Sequence, residues 1–182
     1  MSKKLLVFSD THGSVTALKA VLKWANERIP PKDTICMTAC LGDGLSDLQA
    51  AADATGFYSD WKIVLGNNDY GIQAPEALVF DLCDDRFFMC HGHRYGLYGG
   101  YNSLLAAAKN SNANAVLFGH SHAPFYKKMD GISLINPGSI GRSRSRIGET
   151  FAVIECVENE SLDVKFYGIG AHGKSIKEIT KI

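Results

Sequence analysis

Short apolar runs alternate with amphipathic stretches through most of this chain. Leu5-Leu6-Val7-Phe8, Ile35 to Leu41, Ile63-Val64-Leu65, Phe87 to Cys90 and Val116-Leu117-Phe118 have the length and composition of buried strands. After the first run, Val15, Leu18, Leu22, Ala25 and Ile29 step by three and four residues, which predicts a helix with one buried face. Ser14 suits its N-cap and Pro30-Pro31 its stop. Further helices are expected from Ser46 or Asp47 to about Ala54 and from about Asn102 to Lys109. Strand, helix, strand in this order predicts a parallel sheet with crossover helices.

Beyond Pro124 the texture changes. Phe125 to Met129, Ile132 to Ile135, Phe151 to Val157 and Leu162 to Tyr167 are β-like runs, with turn signals at Asp130-Gly131, Pro137-Gly138 and Glu158-Asn159. This region is expected to be mostly antiparallel, closed by a polar tail. No repeat or linker divides the chain, and 182 residues suffice for one core, so a single domain over 1–182 is expected.

Charge alters little: 19 basic and 19 acidic side chains cancel, giving no strong signal for nucleic acid or an anionic membrane. Five cysteines, Cys36, Cys40, Cys83, Cys90 and Cys156, form no Cys-x-x-Cys pair and mostly sit in apolar runs, which argues against a disulfide framework. Nothing resembles a leader or a spanning segment, so a soluble, cytoplasmic protein is expected.

The residues that end the five apolar runs carry the candidate chemistry. They are Ser9-Asp10-Thr11-His12, Gly42-Asp43, Gly66-Asn67-Asn68-Asp69, His91-Gly92-His93 and Gly119-His120-Ser121-His122. In open α/β sheets the carboxyl ends of strands border the ligand crevice, so these segments can converge. One Asp at a strand end is ordinarily a cap, and one His is ordinarily structural. Two pairs spaced two apart, Asp10 with His12 and His120 with His122, are harder to explain that way; in extended backbone each pair points to one side. With Asp43, Asn67 and His91 they make seven mixed N and O donors, too many for one tetrahedral Zn²⁺ and suited to two ions sharing the Asp43 carboxylate.

The series Asp-x-His, Gly-Asp, Gly-Asn-x-Asp, His-Gly-His, Gly-His-x-His, in that order, resembles the calcineurin-like metallophosphoesterase superfamily. Asn136-Pro-Gly-Ser139 is similar to the motif of its small bacterial and archaeal phosphodiesterase branch. The resemblance implies a four-layer α-β-β-α sandwich with two mixed sheets. It implies one ion on Asp10, His12, Asp43 and His122 and another on Asp43, Asn67, His91 and His120. It also implies hydrolysis of a phosphoester by in-line attack of a metal-bound hydroxide, with the ions ~3.5–4 Å apart. Mn²⁺ is expected first, with Zn²⁺, Fe, Ni²⁺ or Co²⁺ as alternatives.

Candidate catalytic residues beside the ions are Asn68, Asp69 and His93. Better-known phosphatases of the superfamily have a His after the metal-binding Asn; Asn68 stands there and cannot transfer a proton at neutral pH. Asp69 keeps an acidic group or caps a turn, and His93 contacts substrate or a ligand residue. Asn136 to Ser139 is expected to shape the site floor. Arg142, Arg144 and Arg146 form a solvated loop, a phosphate contact or a subunit contact. Tyr95, Tyr98 and Tyr101, among Gly96, Gly99 and Gly100, form a rim or pack on the neighbouring helix.

The expected function is a binuclear phosphodiesterase acting on a small phosphodiester, since the connections leave no room for a cap domain. The alternatives are a non-catalytic protein-binding scaffold like the retromer subunit of this superfamily and, with less support, a nuclease. Family analogy adds a homodimer or higher oligomer.

Overall fold

A computed structural model describes residues 2–28 and 36–182; Ile29, Pro30-Pro31 and Ile35 lie outside the described residues. Strand β1 (Lys3–Phe8) leads through helix α1 (Val15–Arg28) to β2 (Cys36–Cys40), then α2 (Leu45–Thr55) and β3 (Asp60–Ile63). β1 pairs in parallel with β2, and β2 with β3. A second group follows: β4 (Ala77–Leu82), β5 (Asp85–Cys90), α3 (Asn102–Asn110) and β6 (Ala115–Leu117), with β5 and β6 parallel. The last strands are β7 (Pro124–Met129), β8 (Ile132–Pro137), β9 (Glu149–Cys156), β10 (Asp163–Ile169) and β11 (Ile176–Ile179). They fill two sheets, ordered β11-β10-β9-β1-β2-β3 and β4-β5-β6-β8-β7.

Residue alternation explains the layering. Leu5 and Val7 of β1, with Ala39, pack between the sheets against Phe87, Met89, Leu117 and Ile135. Leu6 and Phe8 point the other way, onto Leu18, Val21, Leu22 and Ala25 of α1 and Leu48 and Ala51 of α2. On the far side, Phe88, Cys90, Val116 and Leu134 meet Leu104, Leu105 and Ala108 of α3. The result is the α-β-β-α sandwich, and each fully buried Leu or Phe contributes roughly 1.5–3 kcal/mol to it.

Four details differ from the sequence expectation. β3 ends at Ile63: Val64 N–H still donates to Cys40 O (3.2 Å), but Leu65 N–H turns to Pro75 O (2.8 Å). β4 is an unanticipated edge strand, antiparallel to β5. The tail is not merely polar, because β11 pairs antiparallel with β10. The C-terminal third is antiparallel within its hairpins, yet β8 lies parallel to β6, and β9 inserts beside β1. Among the described residues no helix is long and apolar enough to cross a membrane.

Candidate metal centre

The parallel β1, β2 and β3, and the parallel β5 and β6, direct five chain segments to one end of the sandwich. Their loops are tied by backbone hydrogen bonds that extend the ladders: Asp10 N–H to Gly42 O (3.0 Å), His12 N–H to Asp43 O (3.1 Å) and Gly119 N–H to His91 O (2.8 Å). Gly66 and Gly119 allow this approach. A Cβ at Gly66 would lie 2.1 Å from Asp43 Oδ1, and one at Gly119 would lie 2.1 Å from Ser9 Oγ and 3.0 Å from Asp10 Oδ2.

The two-apart pairs converge by a different backbone from the extended one expected. Asp10 (φ 56°), His12 (45°), Asp43 (57°), His120 (65°) and His122 (58°) are all left-handed. They make up five of the nine non-glycine residues with positive φ among the described residues. Tight left-handed turns, costing of order 1–3 kcal/mol each, fold the side chains inward where straight strands would carry alternate residues away. The strain is sustained by cross-bracing. Ser139 Oγ donates to Asp10 O (2.8 Å), and Asn136 Nδ2 donates to Gly119 O (2.9 Å) and Ser121 Oγ (3.1 Å).

Seen as donors and acceptors, the centre is one-sided. Nδ1–H of His91 donates to Leu41 O (2.6 Å) and Nδ1–H of His122 to Arg142 O (2.6 Å), so a neutral ring presents a lone pair at Nε2 in both. Asp10 Oδ1 is fully buried and has no hydrogen-bond donor. Around it stand Nε2 of His122 at 3.1 Å, His12 at 3.8 Å and His91 at 3.9 Å. The Nε2 atoms of His12 and His122 are 3.3 Å apart, and Asp43 Oδ2 lies 3.5 Å from His91 Nε2 and 3.6 Å from His12 Nε2. Lone pairs brought together in this way repel unless a cation, or protons, sit among them. One donor atom from each of Asp10, His12, Asp43 and His122 falls within 4.8 Å of all the others, so the residues fit a metal ion.

The second expected set is also gathered. Asn67 Oδ1 is 3.2 Å from His91 Nε2, and the His120 ring meets the His91 ring edge-on with centroids 5.2 Å apart. His120 is held by its own backbone N–H, which donates to Asp10 Oδ2 (3.1 Å).

The three catalytic candidates take up distinct places. Asn68 lies against Asp43, donating from N to Oδ1 (2.7 Å) and from Nδ2 to Oδ2 (2.6 Å). Asp69 accepts four backbone N–H groups, from Asp43 (2.7 Å), Gly44 (2.8 Å), Leu45 (2.8 Å) and Gly66 (2.8 Å). It therefore caps α2 from across the loop, where the N-cap Gly44 has no side chain, and it fixes the turn bearing Asp43. His93 packs its ring near His91 (5.4 Å) and His120 (6.2 Å), with a buried Nδ1 that has no partner among the described residues. Asp47 was not anticipated. It accepts Thr11 Oγ1–H (2.5 Å) and Gly13 N–H (2.9 Å) and so braces the loop around His12.

Burial holds the proton affinities of His12, His93 and His120 below the ordinary histidine value, which keeps these rings neutral at neutral pH. His122 is raised above 6.5, chiefly by its contact with Asp10. Asp10 is raised by burial but lowered more by His122 and His91, and the net direction is down. A ligating histidine must be neutral, so an arriving ion displaces a proton from His122 wherever that ring is still protonated. Metal affinity is thus expected to rise with pH through and just above 6.5, as this competing proton is lost. Calorimetric titration in buffers of differing ionisation enthalpy should show proton release on binding that fades at alkaline pH.

Three comparisons bear on this geometry. Residues 4–159 match the family model described as the calcineurin-like phosphoesterase superfamily domain. The chain is 30% identical over 168 residues to a probable metallophosphoesterase of Mycoplasma pneumoniae, covering 90% of this chain and 96% of that one. It is 30% identical over 135 residues to vacuolar protein sorting-associated protein 29 of Schizosaccharomyces pombe, covering 74% of this chain and 71% of the other. In fold it is similar to a predicted phosphoesterase of Streptococcus pneumoniae, with a TM-score of 0.76 at 24% identity over 100% of this chain and 99% of that one.

Proposed function

The chain belongs to the calcineurin-like phosphoesterase superfamily, and from that premise we propose that it is a binuclear metal-dependent phosphodiesterase acting on small phosphodiesters. The observation that carries the reading is the buried, donorless Asp10 Oδ1 ringed by three imidazole Nε2 atoms. Asp10, His12, Asp43 and His122 would hold one divalent ion, and Asp43, Asn67, His91 and His120 the other, Mn²⁺ being the first choice. When bound, such ions lower the pKa of water and neutralise charge gathering on phosphate oxygens.

The chain's own residues set the stage for that chemistry. Asn68 clamps both oxygens of Asp43 and fixes the carboxylate's plane. Asp69 holds the Asp43 turn, and the neutral His93 borders the centre beside His91 and His120. Asn68 Nδ2 gives one of its two hydrogens to Asp43, and a neutral amide offers the extra charged oxygen of a monoester less than a cationic group would, which favours a diester. Only β4, β5 and loops separate Asp69 from His91, and only α3, β6 and turns separate His93 from His120, so the cleft stays open and no cap selects a large substrate. A cytoplasmic protein that self-associates completes the proposal.

A non-catalytic scaffold is the second reading, supported by the likeness to vacuolar protein sorting-associated protein 29. The complete donor set favours the enzyme. A nuclease has less support, because basic and acidic side chains balance at 19 each.

The test is a kcat/KM comparison of bis-p-nitrophenyl phosphate with p-nitrophenyl phosphate, on protein whose metal content is measured in parallel. The diester is expected to react about tenfold faster or more, the scale of one charge-assisted contact. Equal or faster monoester hydrolysis would overturn the diester reading, and two bound ions without hydrolysis of either would turn the balance toward the scaffold.

A further inference from the structure

The loop after Ser139 carries three arginines on a backbone fastened to the metal centre. His122 Nδ1–H donates to Arg142 O (2.6 Å), and Arg144 N–H donates back to His122 O (2.9 Å). Ser139 Oγ accepts the N–H groups of Gly141 (3.2 Å) and Arg142 (2.8 Å). Ser143 Oγ accepts Ser145 N–H (3.1 Å), and Ser145 Oγ accepts Ile147 N–H (3.2 Å). A loop with this many internal bonds keeps a fixed place relative to His122. It is more than the solvated connection that its composition suggests.

Its charges are unneutralised. Elsewhere on the surface Lys62, Arg86, Arg94, Lys109 and Lys165 each lie against an Asp or Glu. Among the described residues, Arg142, Arg144 and Arg146 have no carboxylate within ion-pair distance. Arg144 instead donates from Nη1 to Tyr98 Oη (3.0 Å), and Tyr98 is 81% exposed on a turn between the left-handed Gly96 and Gly100, close after His93. Arg142 and Arg144 are the two whose own backbones are bonded to His122; Arg146 has no such bond among the described residues.

We propose that Arg142 and Arg144, the latter steadied by Tyr98, bind a second anionic group of the substrate beside the scissile phosphodiester. The preferred substrates are then phosphodiesters bearing a further phosphate, such as a nucleotide phosphorylated at both ends. A simple phosphodiester carries a single negative charge, and the convergent centre itself is built to receive it. Two more guanidinium forks, planar and permanently charged, match the geometry of another phosphate. Backbone bonds to His122 fix where the two side chains leave the loop, and the Tyr98 hydroxyl holds one guanidinium, which limits the spacing between the two anions and makes the pair a specificity element instead of a diffuse attraction.

The inference rests on the diesterase reading, and its test separates the two. The probes are thymidine 5′-(p-nitrophenyl phosphate) and the same compound carrying a 3′-phosphate, identical at the scissile bond. The wild type is expected to favour the phosphorylated probe in kcat/KM about tenfold or more, in keeping with a charge-assisted contact. In the doubly substituted Arg142→Gln/Arg144→Gln the ratio should fall toward one, and in Arg146→Gln it should stay at the wild-type value. Calorimetry with thymidine 3′,5′-bisphosphate on the metal-loaded protein supplies a readout independent of turnover: the double variant should bind about tenfold more weakly than the wild type. A wild-type ratio near one, or a ratio preserved in the double variant, would overturn the proposal. If neither probe is hydrolysed the diesterase reading fails by itself, and the calorimetric comparison then decides this one, equal affinities rejecting it.

Discussion

Asp43→Ala is expected to lower kcat by at least ~10³, the loss seen when a major electrostatic element is removed from a site where charge develops. The Asp43 carboxylate is almost wholly buried, with Oδ2 3.5 Å from His91 Nε2 and 3.6 Å from His12 Nε2. It is the one side chain assigned to both ions. Its removal also strands the two Asn68 donors that now rest on Oδ1 and Oδ2. Chelation of the wild type should abolish activity in the same way, and added Mn²⁺ should restore it. Elemental analysis of the variant should show fewer ions per chain, while Ser161→Ala, at an exposed position beyond β9, should leave turnover unchanged. Near-normal turnover by Asp43→Ala with two ions still bound would refute the ligand assignment.

That these segments meet was legible in the sequence, because each ends an apolar run and strand direction alone brings such ends together. How they converge was not. The expectation that Asp10 and His12 share a side of an extended segment missed their left-handed backbone, and nothing local announces that conformation at a non-glycine residue held there by bonds to Gly42 O, Asp43 O and Ser139 Oγ. For Asp69 the sequence left a catalytic group and a turn cap open, and the structure shows the cap; what the sequence lacked was the partners, which come from Gly66 and from residues 43–45 across a loop boundary. Asp47 sits in a helical stretch that gives no hint of its bond to Thr11. The edge strands β4 and β11 escaped notice for a related reason. Their mixed burial carries a weak pattern, and their identity depends on pairing with β5 and β10. Long-range hydrogen bonding decided each of these, and periodicity is blind to it.

Asn68→His should raise turnover of substrates with poor leaving groups by up to the ~10²–10⁴ available from general acid catalysis, and raise it far less for good ones. In the wild type the Asn68 amide is engaged with Asp43 and carries no transferable proton, so departure of the leaving group should track that group's own pKa, with aryl diesters reacting much faster than alkyl diesters. Asn68 is exposed at the cleft, which leaves room for an imidazole. The substitution also removes the bond from Nδ2 to Asp43 Oδ2, so part of the gain is offset by a looser carboxylate. His93 is the competing acid, and it is poorly suited: burial holds it below the ordinary histidine value, so it is mostly neutral at neutral pH. A leaving-group series measured in wild type, Asn68→His and His93→Ala distinguishes the cases. The expected pattern is a steep dependence in wild type and His93→Ala alike, flattened in Asn68→His. A flat wild-type dependence that turns steep in His93→Ala would instead identify His93 as the donor and overturn the role assigned here to position 68; one that stays flat in all three would point to product release as the limiting step.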